Sequence, residues 1–495
     1  MKLKELLNDI AYTIIQGNDN LEIMSIAWDS RNVENQSLFI CVKGKTVDRH
    51  DYSLIAIQAG AVALVVEHDI DNVPPDITII KVSDSKSAMA YIARSFYDNP
   101  TAKCNFIGVI GSSGKSSTAW ILAKLLNSCG RKAGIIDNIN SLENNGKITF
   151  IMSHPNVPDS IKLNYDLNEL VNSGVTEIIT EISPSALLEQ KYQGCKFKAC
   201  LILNSNEDLD NYFFPQGNIV KQFSCLIQAT ESFVTDTLNT LSINLNEQSQ
   251  ALNLVRYGIE PDKDKDILAD NITYKKDGTV FDLYFQDRIY KMINYQIPGK
   301  SFLNNLLASI TCCYKLGIRQ EKIVSAIADI NCIKGRFETV KNPRGHLIII
   351  DSAYTPFALK NLLITVRDIT PGKILTVFGC GGDRDKKRRQ ELGKAAGVYS
   401  DYCIITTDNP RTEEPINIIN DIEEGLKKTE CAYEKVEDRR SAIFKALAML
   451  TDSDALVISG KGQETYQVFM NHIKHFNDRE TVEEYYKVGN NSGNI

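Results

Sequence analysis

The sequence predicts an α/β protein of three domains: a small N-terminal α/β domain, a central phosphate-loop domain on a mainly parallel sheet, and a C-terminal Rossmann-like domain. Three observations predict it. Twice along the chain, short apolar runs alternate with amphipathic stretches, the pattern of parallel strands joined by crossover helices. A polar break containing a proline, "NPTAKCN" at 99–105, precedes the first alternation and suits a linker. The length of 495 residues exceeds one ordinary domain and fits about three. The expected boundaries are 1–98, 99–332 and 333–495.

Each element follows from its local pattern. The first segment mixes the strands "SLFICV", "ALVVE" and "ITIIKV" with helical stretches. From Phe106 the order is "FIGVIG", the helix "STAWILAKLLNSCG", then "KAGIID", with "TEIITEIS" and "ACLILNS" as further buried strands. Between about 240 and 295 the chain turns β-rich, with an Asp277-Gly278 hairpin signal in "KKDGTVFDLYF". A helix at about 301–316 ends at Gly317. After "GRFETV" come "HLIIIDSA", "KILTVFGCGG", "DYCIITTD" and "DALVISGKG", separated by helices, a second open α/β sheet.

Bulk properties exclude several classes. Hydrophobic content of 43% and charged content of 24% belong to a globular protein, and no apolar run approaches a membrane span of roughly 18 residues. The opening "MKLKELLNDIAYTI" lacks a signal-peptide core. The twelve cysteines include no C-x-x-C and read as reduced thiols, so a cytoplasmic location is expected. A net charge of −7 argues against nucleic acid as a partner. The expected state is a monomer.

The stretch "GVIGSSGKSST" carries the chemistry. The common phosphate loop has a glycine five residues before its Gly-Lys-Ser/Thr. Here Val109 holds that place, flanked by Gly108 and Gly111. Strand, turn and helix are nonetheless in the required order. Gly111 and Gly114 let backbone N–H groups face an anion, and the helix start adds its positive end. Lys115 suits terminal phosphates, and the Ser116 hydroxyl suits magnesium.

The same loop resembles the G-x-T-G-T-N-G-K-T-T loop of the Mur ligases, which carries the same displaced spacing. The likeness extends from about 22 to 486. "WDSRNVENQSLFICVKGKTVDRHDYSLIAIQAGAVALVVE" resembles the family's D-S-R, G-D-L-F and D-G-H-x-F region. "KGRFETV", "DSAYTPFALKNLL", "VFGCGGDRDKKRR", "TTDNPRTEEP", "DRRSAI", "GKGQETYQ" and "HFNDRE" follow in family order.

The resemblance implies an ATP- and magnesium-dependent amide ligase of peptidoglycan precursor synthesis. It would add meso-2,6-diaminopimelate to UDP-MurNAc-L-Ala-D-Glu through an acyl phosphate. Its partners are then a UDP-sugar-peptide donor and an amino-acid acceptor. By the same resemblance, Gly111, Ser112, Ser113, Gly114, Lys115, Ser116 and Ser117 cradle the ATP phosphates. Ser116 and Glu181 hold magnesium, and Lys221 matches a carbamylated lysine that holds a second ion. Asn305, Arg336 and Asp351 stand at nucleotide contacts. Ser30, Asn156, Val157, Ser183 and Lys191 fall on the donor side. Arg389, Asp408, Asn409, Pro410, Arg411, Gly460 and Glu464 fall on the acceptor side. A bidentate arginine for the distal carboxylate makes "DNPR" the signal for diaminopimelate.

Departures cluster on the donor and metal side. The family's T-T-P is "NVP", its E-V-S-S-H-x-L is "EISPSAL", and the arginine that follows is Lys191. A magnesium-binding histidine is missing, because no histidine lies between His154 and His346; Asp208 or Asp210 is the candidate replacement. Y-A-H-T-P reads "SAYTP" and G-K-G-H-E reads "GKGQE". These changes leave open a paralogue with another carboxylate donor, or a non-catalytic homologue.

Overall fold

The computed structural model describes residues 1–44, 47–111, 113–137, 149–152, 159–203, 226, 229–236, 253–259 and 265–491. The chain forms two compact units, Met1–Ala119 with Leu126–Arg256, and Trp120–Leu125 with Tyr257–Ile495. The α/β class expected from the alternation is the one observed.

In the first unit, β1 (Tyr12–Gln16), β2 (Ser25–Ala27), β3 (Ser37–Ile40), β4 (Ala61–Val66) and β5 (Thr78–Val82) form a sheet ordered β1-β5-β4-β3-β2. Only β1 runs antiparallel to its neighbour. Leu38, Ile40, Val65 and Ile80 from these strands pack with Met89 and Ile92 of the helix Ser85–Phe96. Asp84 caps that helix, accepting from the Ser87 amide at 3.0 Å.

A second sheet in this unit joins β6 (Asn105–Ile110), β7 (Ala133–Asp137), β8 (Thr149–Met152), β9 (Glu177–Ile182), β10 (Ala199–Ile202) and β11 (Phe233–Asp236). Their order is β11-β10-β6-β9-β7-β8 and every pairing is parallel. β9 is buried along its whole length and β6 along all but Asn105, as central parallel strands are. Their register sets Val109 opposite Glu181 and Ile110 opposite Ile182. Both strands therefore end on the same edge, where ligands bind open parallel sheets.

In the second unit, Tyr257–Ile259 of β12 (Leu254–Ile259) pair with β13 (Ile267–Lys275), which continues into an antiparallel meander through β14 (Gly278–Phe285) and β15 (Ile289–Tyr295). The predicted hairpin turns at Lys276-Asp277, with Gly278 opening the second strand opposite Lys275. The predicted helix spans Lys300–Lys315, followed by Gly317.

The third sheet comprises β16 (Glu338–Thr339), β17 (Leu347–Asp351), β18 (Ile374–Phe378), β19 (Tyr402–Ile405), β20 (Ala432–Lys435) and β21 (Ala455–Ser459), ordered β16-β17-β21-β18-β19-β20. From β17 to β20 all pairings are parallel. The loops after Asp351, Phe378, Ile405 and Ser459 thus share one edge, and a hairpin of β22 (Tyr466–Phe469) and β23 (His472–His475) follows. Arg439 and Asp478 lock this unit from within. Both side chains are fully buried, and the guanidinium meets the carboxylate through two bonds of 2.7 and 2.8 Å. A third bond, 3.1 Å to the Ser459 carbonyl, ties the pair to the end of β21. No helix among the described residues is long and apolar enough to cross a membrane.

Candidate active site

The first unit carries a phosphate-type loop at the end of β6. Gly114 lies at φ +79°, a left-handed conformation that favours glycine, and its carbonyl accepts from the Thr118 amide at 2.8 Å to start the helix Lys115–Ser128. Lys115 opens that helix, and its Nζ donates to the Gly111 carbonyl at 2.7 Å. That bond holds the ammonium over the loop, and a phosphate oxygen is a stronger acceptor than a neutral carbonyl. Ser113 and Ser116 are half-buried and Ser117 is buried in the first turn.

Glu181 stands one strand away. It is buried, and its Oε1 has no hydrogen-bond partner among the described residues. A buried carboxylate oxygen left without a donor, at the sheet edge that carries the loop, fits a hard divalent cation, which takes oxygen ligands. The neighbouring Ser183 hydroxyl accepts from the Ala186 amide at 3.2 Å and starts the short helix Pro184–Leu188. Lys191 is half-buried, and that burial lowers the pKa of its amine.

Ser30 begins a 3-10 turn behind Asp29, which accepts the Arg31 amide at 3.0 Å. Arg31 also grips the Asp29 side chain and holds its carboxyl at about 2. Above this turn the Arg49 guanidinium lies 5.1 Å from the Trp28 ring centre. Ser112, Asn156, Val157, Asp208 and Lys221 lie outside the described residues.

The second unit holds the remaining predicted residues. Asn305 is buried within the helix Lys300–Lys315. Asp351, at the end of β17, accepts the Phe337 and Ala353 amides at 2.7 Å each. Burial pushes its carboxyl pKa up, against the opposing charge of Arg336 and the two amides. The aspartate thus fixes the turn in which Phe337 sits at φ +46° beside Arg336.

The loops after β18, β19 and β21 assemble a charged cluster. Asn409 donates to Glu464 Oε2 at 2.9 Å, while its Oδ1 accepts the Val468 amide at 3.0 Å. Asp408 is buried beside it, next to Gly460 at φ +112°, where an added Cβ would lie 3.0 Å from the Asp408 carboxylate. Pro410 leads into Arg411, a non-glycine residue at φ +54°, whose backbone amide donates to the Val468 carbonyl at 2.9 Å. Backbone strain of this kind persists where the surroundings impose it, commonly at ligand sites. One Arg411 nitrogen donates to the Gly382 carbonyl at 3.0 Å, which leaves the rest of the fork for a planar anion.

Arg389 is placed differently from its neighbours. Its side chain is 1% exposed and clamps Glu413 and Asp421, with bonds of 2.6 and 2.9 Å to the first and 2.9 Å to the second. Its present partners belong to the protein, so it positions the loop that carries Arg411. Lys461, to which the sequence assigns no role, has a fully buried Nζ that lies 2.9 Å from Glu464, 3.3 Å from Asn409 and 3.4 Å from Asp408. The lysine in "GKGQE" was visible, but a lysine is ordinarily solvated, and nothing local announces its burial.

Asp48, His50 and His68 bring three potential ligand atoms within 4.8 Å of one another. Both His50 nitrogens are already used: Nδ1 lies 2.6 Å from Asp48, and Nε2 accepts the Glu67 amide at 3.0 Å. This cluster is therefore a hydrogen-bonded brace. His475 pairs with Glu480 at 2.8 Å and His472 stacks on Phe469.

Comparison with known proteins agrees with this geometry. Three family models match in order: "Mur ligase family, catalytic domain" over residues 22–97, "Mur ligase middle domain" over 109–313, and "Mur ligase, glutamate ligase domain" over 335–462. The chain is 35% identical to UDP-N-acetylmuramoyl-L-alanyl-D-glutamate--2,6-diaminopimelate ligase 2 of Clostridium acetobutylicum, over 98% of this chain and 99% of that protein. It is 36% identical to the corresponding ligase of Clostridioides difficile, again over 98% and 99%. A solved structure of a ligase of the same name matches with a TM-score of 0.67 at 21% identity, covering 99% of each chain. MurF ligase from Thermotoga maritima, solved with ADP, matches with a TM-score of 0.58 at 18% identity, covering 94% of this chain and 96% of that one. With the phosphate loop, the parallel sheets and full-length relatives in agreement, the chain belongs to the Mur ligase family of ATP-dependent ligases.

Proposed function

We propose that this chain adds meso-2,6-diaminopimelate to UDP-MurNAc-L-Ala-D-Glu, forming a C–N bond at the expense of ATP. Residues 1–98, 99–332 and 333–495 would serve the donor, the nucleotide and the acceptor respectively. The observation that carries the reading is the cluster of Asp408, Asn409, Arg411 and Glu464 on one sheet edge, which offers a guanidinium beside a carboxylate. That pairing suits the distal end of diaminopimelate, which bears both a carboxylate and an ammonium.

The donor carboxylate would attack the γ-phosphate, and the acceptor amine would then displace phosphate from the acyl phosphate. Charge builds on oxygen at each step, so the site needs fixed cations and N–H donors. Lys115 would turn from the Gly111 carbonyl to the β- and γ-phosphates, while the loop amides hold the rest. Magnesium, when bound, neutralises phosphate charge, and Glu181 with Ser116 would hold it. Glu181→Gln is expected to raise the magnesium concentration needed for tight ADP binding by about 10- to 100-fold. Calorimetric titration at a series of magnesium concentrations measures this, and an unchanged requirement would remove Glu181 from the metal site.

The deciding experiment is phosphate release from purified protein with ATP, magnesium and panels of donors and amino acids. Release only when both UDP-MurNAc-L-Ala-D-Glu and diaminopimelate are present supports the proposal. Release with another carboxylate donor, and none with this one, supports a second reading. Lys191, a half-buried amine where the family carries arginine, favours that alternative because it alters the donor-side charge contact.

A further inference from the structure

We propose that Lys461 balances the charge of the acceptor cluster and thereby selects an acceptor whose far end is zwitterionic. The proposal rests on the acceptor site assigned above and adds a specificity residue to it. Its side chain is fully buried and its ammonium has three oxygen neighbours: Glu464 at 2.9 Å, Asn409 at 3.3 Å and Asp408 at 3.4 Å. Three donor hydrogens meet three acceptors, so this ammonium is satisfied by the protein itself.

Two consequences follow from that geometry. The first concerns orientation. Lys461 and the Asn409 amide both donate to the same Glu464 oxygen, Oε2, each at 2.9 Å. Among the described residues no protein donor reaches Oε1, and the side chain is 31% exposed. One oxygen is thus anchored inward and the other is offered to a ligand. Asn409 is fixed as well, since its Oδ1 takes the Val468 amide at 3.0 Å along with Lys461.

The second consequence concerns charge. Asp408 and Glu464 contribute two negative charges, and Lys461 and Arg411 two positive ones, so the four sum to zero. Separated opposite charges with no net charge complement a ligand end that carries one ammonium and one carboxylate. Without Lys461 the sum becomes −1, which favours a ligand end bearing an ammonium alone and penalises a carboxylate. Arg389, Glu413 and Asp421 sum to −1 among themselves and stay the same in every variant compared below.

L-Lysine differs from diaminopimelate by lacking the distal carboxylate, which makes it the probe. Lys461→Met is expected to raise the KM for diaminopimelate by about 30-fold while the KM for lysine moves little, as for loss of a buried charged hydrogen-bond partner. The ratio of kcat/KM for the two acceptors should fall accordingly. Lys461→Met combined with Asp408→Asn returns the sum to zero and should restore most of the ratio. Parallel losses for both acceptors, an unchanged ratio, or no recovery in the double variant would overturn the proposal.

If the unaltered protein turns over no diaminopimelate, the functional reading fails first and separately. Thermal melting of the same variants then decides for Lys461. Balance requires Lys461→Met to melt lower and the Asp408→Asn double variant to recover. Absence of that recovery overturns the proposal too.

Discussion

Lys115→Met lowers kcat for phosphate release on the order of 10²- to 10³-fold, with little change in the KM for the amino-acid acceptor. This is the usual size of losing one fixed group that stabilises transition-state charge. The structure gives the reason for expecting kcat to suffer. Lys115 opens the helix at the end of β6, and its 2.7 Å bond to Gly111 already places the ammonium over the loop. Little rearrangement is then needed when phosphate replaces the carbonyl. Methionine keeps the length and apolar packing of the side chain while removing the charge. Initial-rate measurements at saturating donor and nucleotide separate kcat from KM. A variant with wild-type kcat would remove the loop from the reaction.

Arg439→Met and Asp478→Asn each destabilise the second unit by about 3–5 kcal/mol, because each leaves the other member of the pair buried without its counterpart. Both side chains are fully buried, and their two bonds are short and bidentate. The double replacement Arg439→Met with Asp478→Leu costs less than the sum of the two single ones, since no isolated charge remains. Calorimetric melting of the four proteins gives the coupling directly. If the single replacements melt at the wild-type temperature, the pair contributes nothing to stability. This pair accounts for two motifs, "DRRSAI" and "HFNDRE", that stood in the sequence without a role. Their charged residues act inside the fold, bonded to the end of β21 through the Ser459 carbonyl.

How much of the site could be read beforehand depended on the range of the interactions involved. The strand, turn and helix around Lys115 were legible, because they are contiguous and each needs only local geometry. The misfit at Val109 is explained by the sheet: Val109 is a buried strand residue opposite Glu181, and the turn begins only at Gly111. Glu181 was placed correctly at a strand end from its apolar run, but its unpartnered oxygen emerged only from packing. Arg389 shows the opposite case. It stands among the charged residues of "DRDKKRRQ" and the resemblance puts it on the acceptor side, yet its side chain is buried between Glu413 and Asp421. Those partners lie on another loop and another helix, so no local pattern could reveal them.

By itself the sequence determined the α/β class, the order of strands and helices, the phosphate loop and the family to which the chain belongs. Each of these rests on periodicity or on residues close together along the chain. Tertiary structure alone decided which charges are buried and with whom they pair: Arg389 with Glu413 and Asp421, Arg439 with Asp478, and Lys461 with Asp408 and Glu464. The physical reason is that desolvation and ion pairing depend on what the fold brings together; apart from Glu464, three positions from Lys461, these partners lie dozens of positions away along the chain. A lysine or arginine looks the same in sequence whether water or a carboxylate surrounds it.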